Sequence, residues 1–141
     1  MMHTTSLKRI LVGVDGSENA LRAVEFAGML AKEIGSEVTL ALIITPSDHE
    51  ILSGKATYME KGALLGGPRL KAAEQLLEEL GVKHRSEVEM GHPAEQLLRL
   101  AKDHDLVVVG TRGLSPFKEA FIGSTSHRLV QGGEAPILVV P

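Results

Sequence analysis

The segment "DLVVVG", residues 105–110, is a run of apolar, largely β-branched residues without polar alternation. A strand with one wet face alternates apolar and polar side chains, so a run like this one is expected where both faces are covered, as in a parallel sheet between layers of helices. The rest of the chain repeats the theme. "LKRILVGV" (7–14), "EVTLALII" (37–44) and "APILVVP" (135–141) are further apolar strand runs, and "KHRSEVEM" (83–90) is a weaker, alternating one. Helical patterns separate them. After Ser17, apolar residues recur at Leu21, Val24, Phe26, Ala27, Leu30, Ala31 and Ile34, the spacing of one helix face, with Ser17 placed to cap the start and Gly35 to stop the end. "RLKAAEQLLEELG" (69–81) is a second amphipathic helix closed by Gly81. "GHPAEQLLRLAKDH" is a third, with Pro93 in a first turn where its missing N–H costs nothing. A short fourth runs from about Ser124 to Val130 and ends at Gly132-Gly133.

Five strands alternating with four helices predict an α/β fold, because parallel neighbours must be joined by crossovers and crossovers cover both faces. The expected architecture is an open five-stranded parallel sheet in an α/β/α sandwich. At 141 residues, with 43% apolar and 23% charged residues, the chain reads as one domain over 1–141 that buries about 68–70% of its unfolded surface. One stretch breaks the rhythm. "TPSDHEILSGKATYMEKGALLGGP" (45–68) is longer than the usual connection, and reads as a mobile or ligand-covering segment with room for a short helix around 56–65.

Charge and composition narrow the partners. A net charge of −3, with no basic cluster longer than Lys8-Arg9, leaves no footprint for nucleic acid or an anionic membrane. The absence of cysteine removes disulfide frameworks, thiolate metal sites and Cys nucleophiles. No apolar run approaches a membrane span, and "MMHTTSLKR" is polar where a signal peptide is apolar; the expected location is the cytoplasm. The six histidines never fall at i, i+3 or i, i+4 from one another, so no helix presents a ligand pair and no metal site is expected. Only His127, one turn into the fourth helix, has a position from which it could sense a bound anion.

In open parallel sheets ligands bind beyond the carboxyl ends of the strands, where the strand order reverses. "VDGS" follows the first strand and "GTRG" the fourth, and the latter leads through "GSTS" into a helix start. Gly110, Gly113 and Gly123 permit tight turns or close approach, and Arg112 adds a positive charge. Ser124, Thr125 and Ser126 bring hydroxyls to unpaired helix N–H groups. Together these are parts of a phosphate cradle. Taken singly each has an ordinary explanation, as a turn glycine, an N-cap or a solvated charge; the conjunction in one segment carries the inference.

The spacing Gly110-x2-Gly113-x9-Gly123-Ser124 resembles the nucleotide-binding signature of the universal stress protein family. The likeness extends over nearly the whole chain, from "KRILVGVDGSENALRAVEFAGMLAKEIGSEVTLALIITP" through "MGHPAEQLLRLAKDHDLVVVGTRG" to "APILVVP". It implies a Rossmann-like sheet of order 3-2-1-4-5, and membership of the family's ATP-binding subgroup. Carried over by position, it implies that Gly113, Gly123, Ser124 and Thr125 hold the phosphates, with Arg112 flanking them. Met90, Gly91 and Gly110 would approach the ribose and α-phosphate, while Val14, Asp15 and Ile43 would border the adenine. ATP, or ADP or AMP, with Mg²⁺ is the implied cofactor. The carboxylate of Asp15 suits the base or ribose, and reaches phosphate only through a metal. The family also implies a homodimer through the terminal strand 135–141, whose apolar "ILVV" would otherwise be an open edge. A protein partner is implied but not identified.

Three functional classes compete. The first is an ATP-binding stress-response or signalling module with slow or no turnover. The second is a nucleotide-using enzyme, at most a weak ATPase or an autophosphorylating protein. No G-x-x-x-x-G-K-[ST], G-x-G-x-x-G, S-G-G-x-D-S or H-I-G-H string occurs, and neither Asp15 nor Glu119 has a spacing that marks it as a general base. The third is a nucleotide-free dimeric scaffold, in which the glycines survive because the turn needs them.

Overall fold

The computed structural model describes residues 6–45, 58–111, 128–129 and 135–141. In chain order the elements are β1 (Arg9–Val14), α1 (Glu18–Ile34), β2 (Glu37–Ile44), α2 (Tyr58–Leu80), β3 (His84–Met90), α3 (Pro93–Ala101), β4 (Leu106–Gly110) and β5 (Ile137–Val140). All five strands form one parallel sheet in the order β3-β2-β1-β4-β5. This is the expected α/β architecture and strand order.

Alternation along each strand sorts the core into two layers. Ile10, Val12 and Val14 of β1, with Leu40 and Leu42 of β2 and Val108 of β4, face α1 and α2, where they meet Val24, Ala27, Ala73 and Leu77. Leu11, Ala41, Ile43, Val107 and Val109 face the other way, onto Leu97 and Leu100 of α3 and onto Leu129. Arg128 and Leu129 are helical, and Leu129 packs with Leu97 and Leu100 of α3 on that face; the rest of the expected helix at 124–130 lies outside the described residues. Every residue of β4 is buried, as its unbroken apolar run requires.

The helix ends follow the local signals. Ser17 sits in extended backbone and accepts a hydrogen bond on Oγ from the Ala20 amide at 3.1 Å, and Gly35 closes α1 at φ 73°. Pro93 occupies the first turn of α3. The second helix differs: it begins at Tyr58, eleven residues before the predicted start at 69, and continues through Pro68. Gly66, Gly67 and Pro68 read as breakers, since an interior proline loses one helical bond and crowds the carbonyl four residues back at about 3 kcal/mol, but local propensity is a weak determinant beside the packing of Leu70, Ala73 and Leu77 into the core. Much of the 45–68 segment is therefore helical backbone, while 46–57 lies outside the described residues.

A polar network is buried between β2 and the turn before β4. The His104 ring, in the turn before β4, places Nδ1 2.7 Å from the Leu100 carbonyl and Nε2 2.8 Å from Thr39 Oγ1. A carbonyl only accepts, so Nδ1 carries the hydrogen, and the Thr39 hydroxyl completes the pair at Nε2. Arg85 donates to the same hydroxyl at 3.3 Å. The histidine thus acts as a structural tie between β2 and the α3–β4 corner.

Candidate functional site

The carboxyl edge of β1 is built by "VDGS". The Ser17 amide donates to Asp15 Oδ1 at 2.9 Å, while Ser17 Oγ caps α1, so each residue fixes the next. Gly16 between them lies at φ +88°, in the left-handed region that favours glycine. The stem of Arg69 lies across it, with Cγ 3.1 Å from the point where a Cβ would stand. The structure thereby brings a cation on α2 to the mouth of β1. The eleven residues of α2 before Arg69 account for roughly 16 Å of helix leading to that level.

At the end of β3, the Gly91 amide donates to the Ile44 carbonyl at 2.9 Å and the residue adopts φ +133°. A side chain here would be strained, and would meet Gln96 Nε2 at 3.2 Å. At the end of β4, Gly110 is a glycine for another reason. A Cβ there would run into the side chain of Asn19, in the first turn of α1, with Asn19 Cγ at 2.9 Å and the Asn19 carbonyl at 3.1 Å. The ladder continues one residue further, as the Thr111 amide donates to the Val140 carbonyl at 3.0 Å.

Because β1 lies between β2 and β4, the register Val12↔Val108, continued by two residues, brings Val14 level with Gly110. Asp15, Met90, Gly91 and Gly110 thus share the carboxyl edge of the sheet. Val14 and Ile43 do not present side chains to a common space. Val14 is buried under α1 and α2, while Ile43 is 2% exposed and faces α3. What both offer at the edge is backbone. Arg112, Gly113, Gly123, Ser124 and Thr125 lie outside the described residues, as does His127.

Three residues at this edge escaped the sequence reading: Asn19, Arg69 and Gln96. Asn19 and Gln96 look like ordinary polar positions of a helical first turn, and Arg69 like the start of an amphipathic helix; only the packing shows where they go. The cleft formed by Glu37, Val38, Lys83, His84 and Arg85 lies at the opposite, amino-terminal edge. Its acid is already paired, Glu37 meeting Arg9 at 3.3 Å and Lys83 at 3.4 Å. No helix of the described residues is long and apolar enough to cross a membrane.

The model of the universal stress protein family matches residues 6–141. The chain belongs to that family. Its relatives include a universal stress protein of Methanocaldococcus jannaschii, 32% identical over 138 residues that cover 94% of this chain and 81% of the relative. The universal stress protein YxiE of Bacillus subtilis is 32% identical over 149 residues, covering 94% and 97%. Among solved structures, a universal stress protein in complex with cAMP is 26% identical with a TM-score of 0.71, over 96% of this chain and 98% of that one. The family's five-stranded order 3-2-1-4-5 is the order described above.

Proposed function

We propose that the chain binds an adenine nucleotide, ATP with Mg²⁺ foremost and ADP or AMP as alternatives, at the carboxyl edge of β1 and β4. On this reading it works as a nucleotide-dependent stress-response or signalling module with slow or no turnover. The observation that carries the reading is topological. In the order β3-β2-β1-β4-β5, chain connections diverge from β1 and β4 to opposite faces, which opens a crevice between "VDGS" and the Gly110-Thr111 end of β4. The residues fit the ligand. A preset Asp15 carboxylate suits the base or ribose, the backbone at Gly91 is left bare by its glycine, and the β4 loop supplies the signature glycines. In this proposal Gly113, Gly123, Ser124, Thr125 and Arg112 hold the phosphates through backbone N–H, hydroxyl and guanidinium donors. A relative-by-fold that carries cAMP supports the choice of an adenine nucleotide.

The dimer through residues 135–141 belongs to the same proposal. Among the described residues β5 pairs only with β4, and its four apolar residues are each half-buried, which suits an edge completed by a second copy. A second reading, the nucleotide-free dimeric scaffold, is favoured by one observation: the glycine at 110 is accounted for by Asn19, with no ligand needed.

Calorimetric titration of nucleotide-free protein with ATP and Mg²⁺, beside Gly113→Asp, separates the two. Binding by the natural protein and its loss in the variant are the expected results. Absence of heat and of any thermal shift with ATP, ADP and AMP would leave the scaffold reading standing alone.

A further inference from the structure

The Gln96 side chain has its orientation imposed by a neighbour. Arg99 Nε and Nη2 both donate to Gln96 Oε1, at 3.0 and 2.9 Å. A guanidinium offers only donors, so the amide oxygen must face it and the NH₂ must face away. Arg99 is itself held from β3, by Glu89 Oε1 at 3.2 Å. The backbone fixes the other end, since the Gln96 amide donates to the His92 carbonyl at 3.0 Å in the first turn of α3.

With its oxygen occupied, the amide lies over the bare side of Gly91. Nε2, Cγ and Cδ stand 3.2, 3.6 and 3.8 Å from the point where a Gly91 Cβ would be. Both side-chain hydrogen bonds of Gln96 among the described residues fall on Oε1. Two N–H donors of set direction are thus left at the Met90–Gly91 corner, and a donor held in place before binding loses little freedom when it is used.

We propose that Gln96 is a specificity-determining residue of the nucleotide site, donating from Nε2 to a ribose hydroxyl oxygen. The inference rests on the nucleotide reading above and deepens it. Charge selects the sugar over a phosphate at this corner. Glu89 is matched by Arg99, and Glu95 in the same turn by Arg128 at 3.2 Å, so these charges of β3 and α3 among the described residues balance one another. A neutral amide between balanced pairs suits a neutral hydroxyl.

The test titrates nucleotide-free natural protein, Gln96→Glu and Gln96→Leu with ATP, 2′-deoxy-ATP and 3′-deoxy-ATP, and records the melting temperature of each protein. Gln96→Glu decides the matter, because a carboxylate still accepts from Arg99 but donates nothing. Expected are a preference of the natural protein for ATP over one deoxy form, and ATP affinity about 3- to 10-fold weaker in Gln96→Leu and at least about tenfold weaker in Gln96→Glu. Both variants should lose the sugar preference, with the melting temperature of Gln96→Glu held or raised. If Gln96→Glu binds ATP as the natural protein does, the amide serves only to tie α3 to β3 and the proposal is overturned, whatever Gln96→Leu does. If the natural protein binds no nucleotide, the nucleotide reading itself falls and takes this inference with it.

Discussion

Replacing Gly110 by alanine distinguishes a glycine kept for the fold from one kept for a ligand. The added Cβ would stand 2.9 Å from Asn19 Cγ and 3.1 Å from the Asn19 carbonyl oxygen, against ordinary contacts of 3.4–4 Å. The side chain can rotate away, but the carbonyl belongs to the first turn of α1 and yields only if that turn shifts by a few tenths of an ångström. Overpacking of this kind costs about 1–3 kcal/mol. Gly110 is not among the residues at positive φ, so no backbone strain is added, and restricting the unfolded chain returns about 0.4–1 kcal/mol. The expected net loss is about 0.5–2 kcal/mol in nucleotide-free protein, from the difference of those two terms. With a urea dependence of about 2 kcal/mol per molar, the unfolding midpoint should fall by roughly 0.25–1 M. Asn19→Ala removes Cγ and Oδ1 but leaves the carbonyl, so the double variant should recover part of the loss, with a coupling of about 1 kcal/mol between the two sites. A Gly110→Ala protein as stable as the natural one without nucleotide, or strictly additive effects, would refute the packing argument and return Gly110 to a ligand role.

Other expectations are read from single contacts. Ser17→Ala removes the cap on the Ala20 amide and should cost about 1 kcal/mol in chemical denaturation, leaving the Asp15 contact to the residue-17 amide intact. Thr39→Val leaves His104 Nε2 without its hydroxyl partner inside the core and should destabilise by about 1–3 kcal/mol; a loss under a few tenths would show that the imidazole finds another partner. The Glu95–Arg128 pair joins two side chains that are each more than half exposed, so Arg128→Ala should change stability by no more than about 1 kcal/mol and progressively less as salt is added.

Much of the edge where the candidate site lies could be read before the fold was known, because its signals are local. Asp15 and Ser17 fix their own turn through bonds spanning two and three residues, and Gly35 and Gly81 stop helices by adopting positive φ. The same locality misled at α2. Gly66-Gly67-Pro68 suggest a boundary, yet the helix passes through them, and its C-terminal half packs Leu70, Ala73 and Leu77 into the core. The strand order followed from resemblance, since nothing in the periodicity of five runs says which two are neighbours.

The sequence by itself determined the class of fold and the ends of its elements other than the start of α2. An unbroken β-branched run such as residues 106–110 can be satisfied only under two layers of helices, and caps and stops are settled within a few residues. The tertiary structure alone decided which residues meet at the carboxyl edge. Asn19 explains Gly110, Arg69 crosses Gly16, and Arg99 turns the Gln96 amide toward Gly91. The first two are contacts between elements remote in the chain. The last depends on Glu89 of a different element holding the arginine in place, and a side chain's direction is set by such neighbours, which local sequence does not encode.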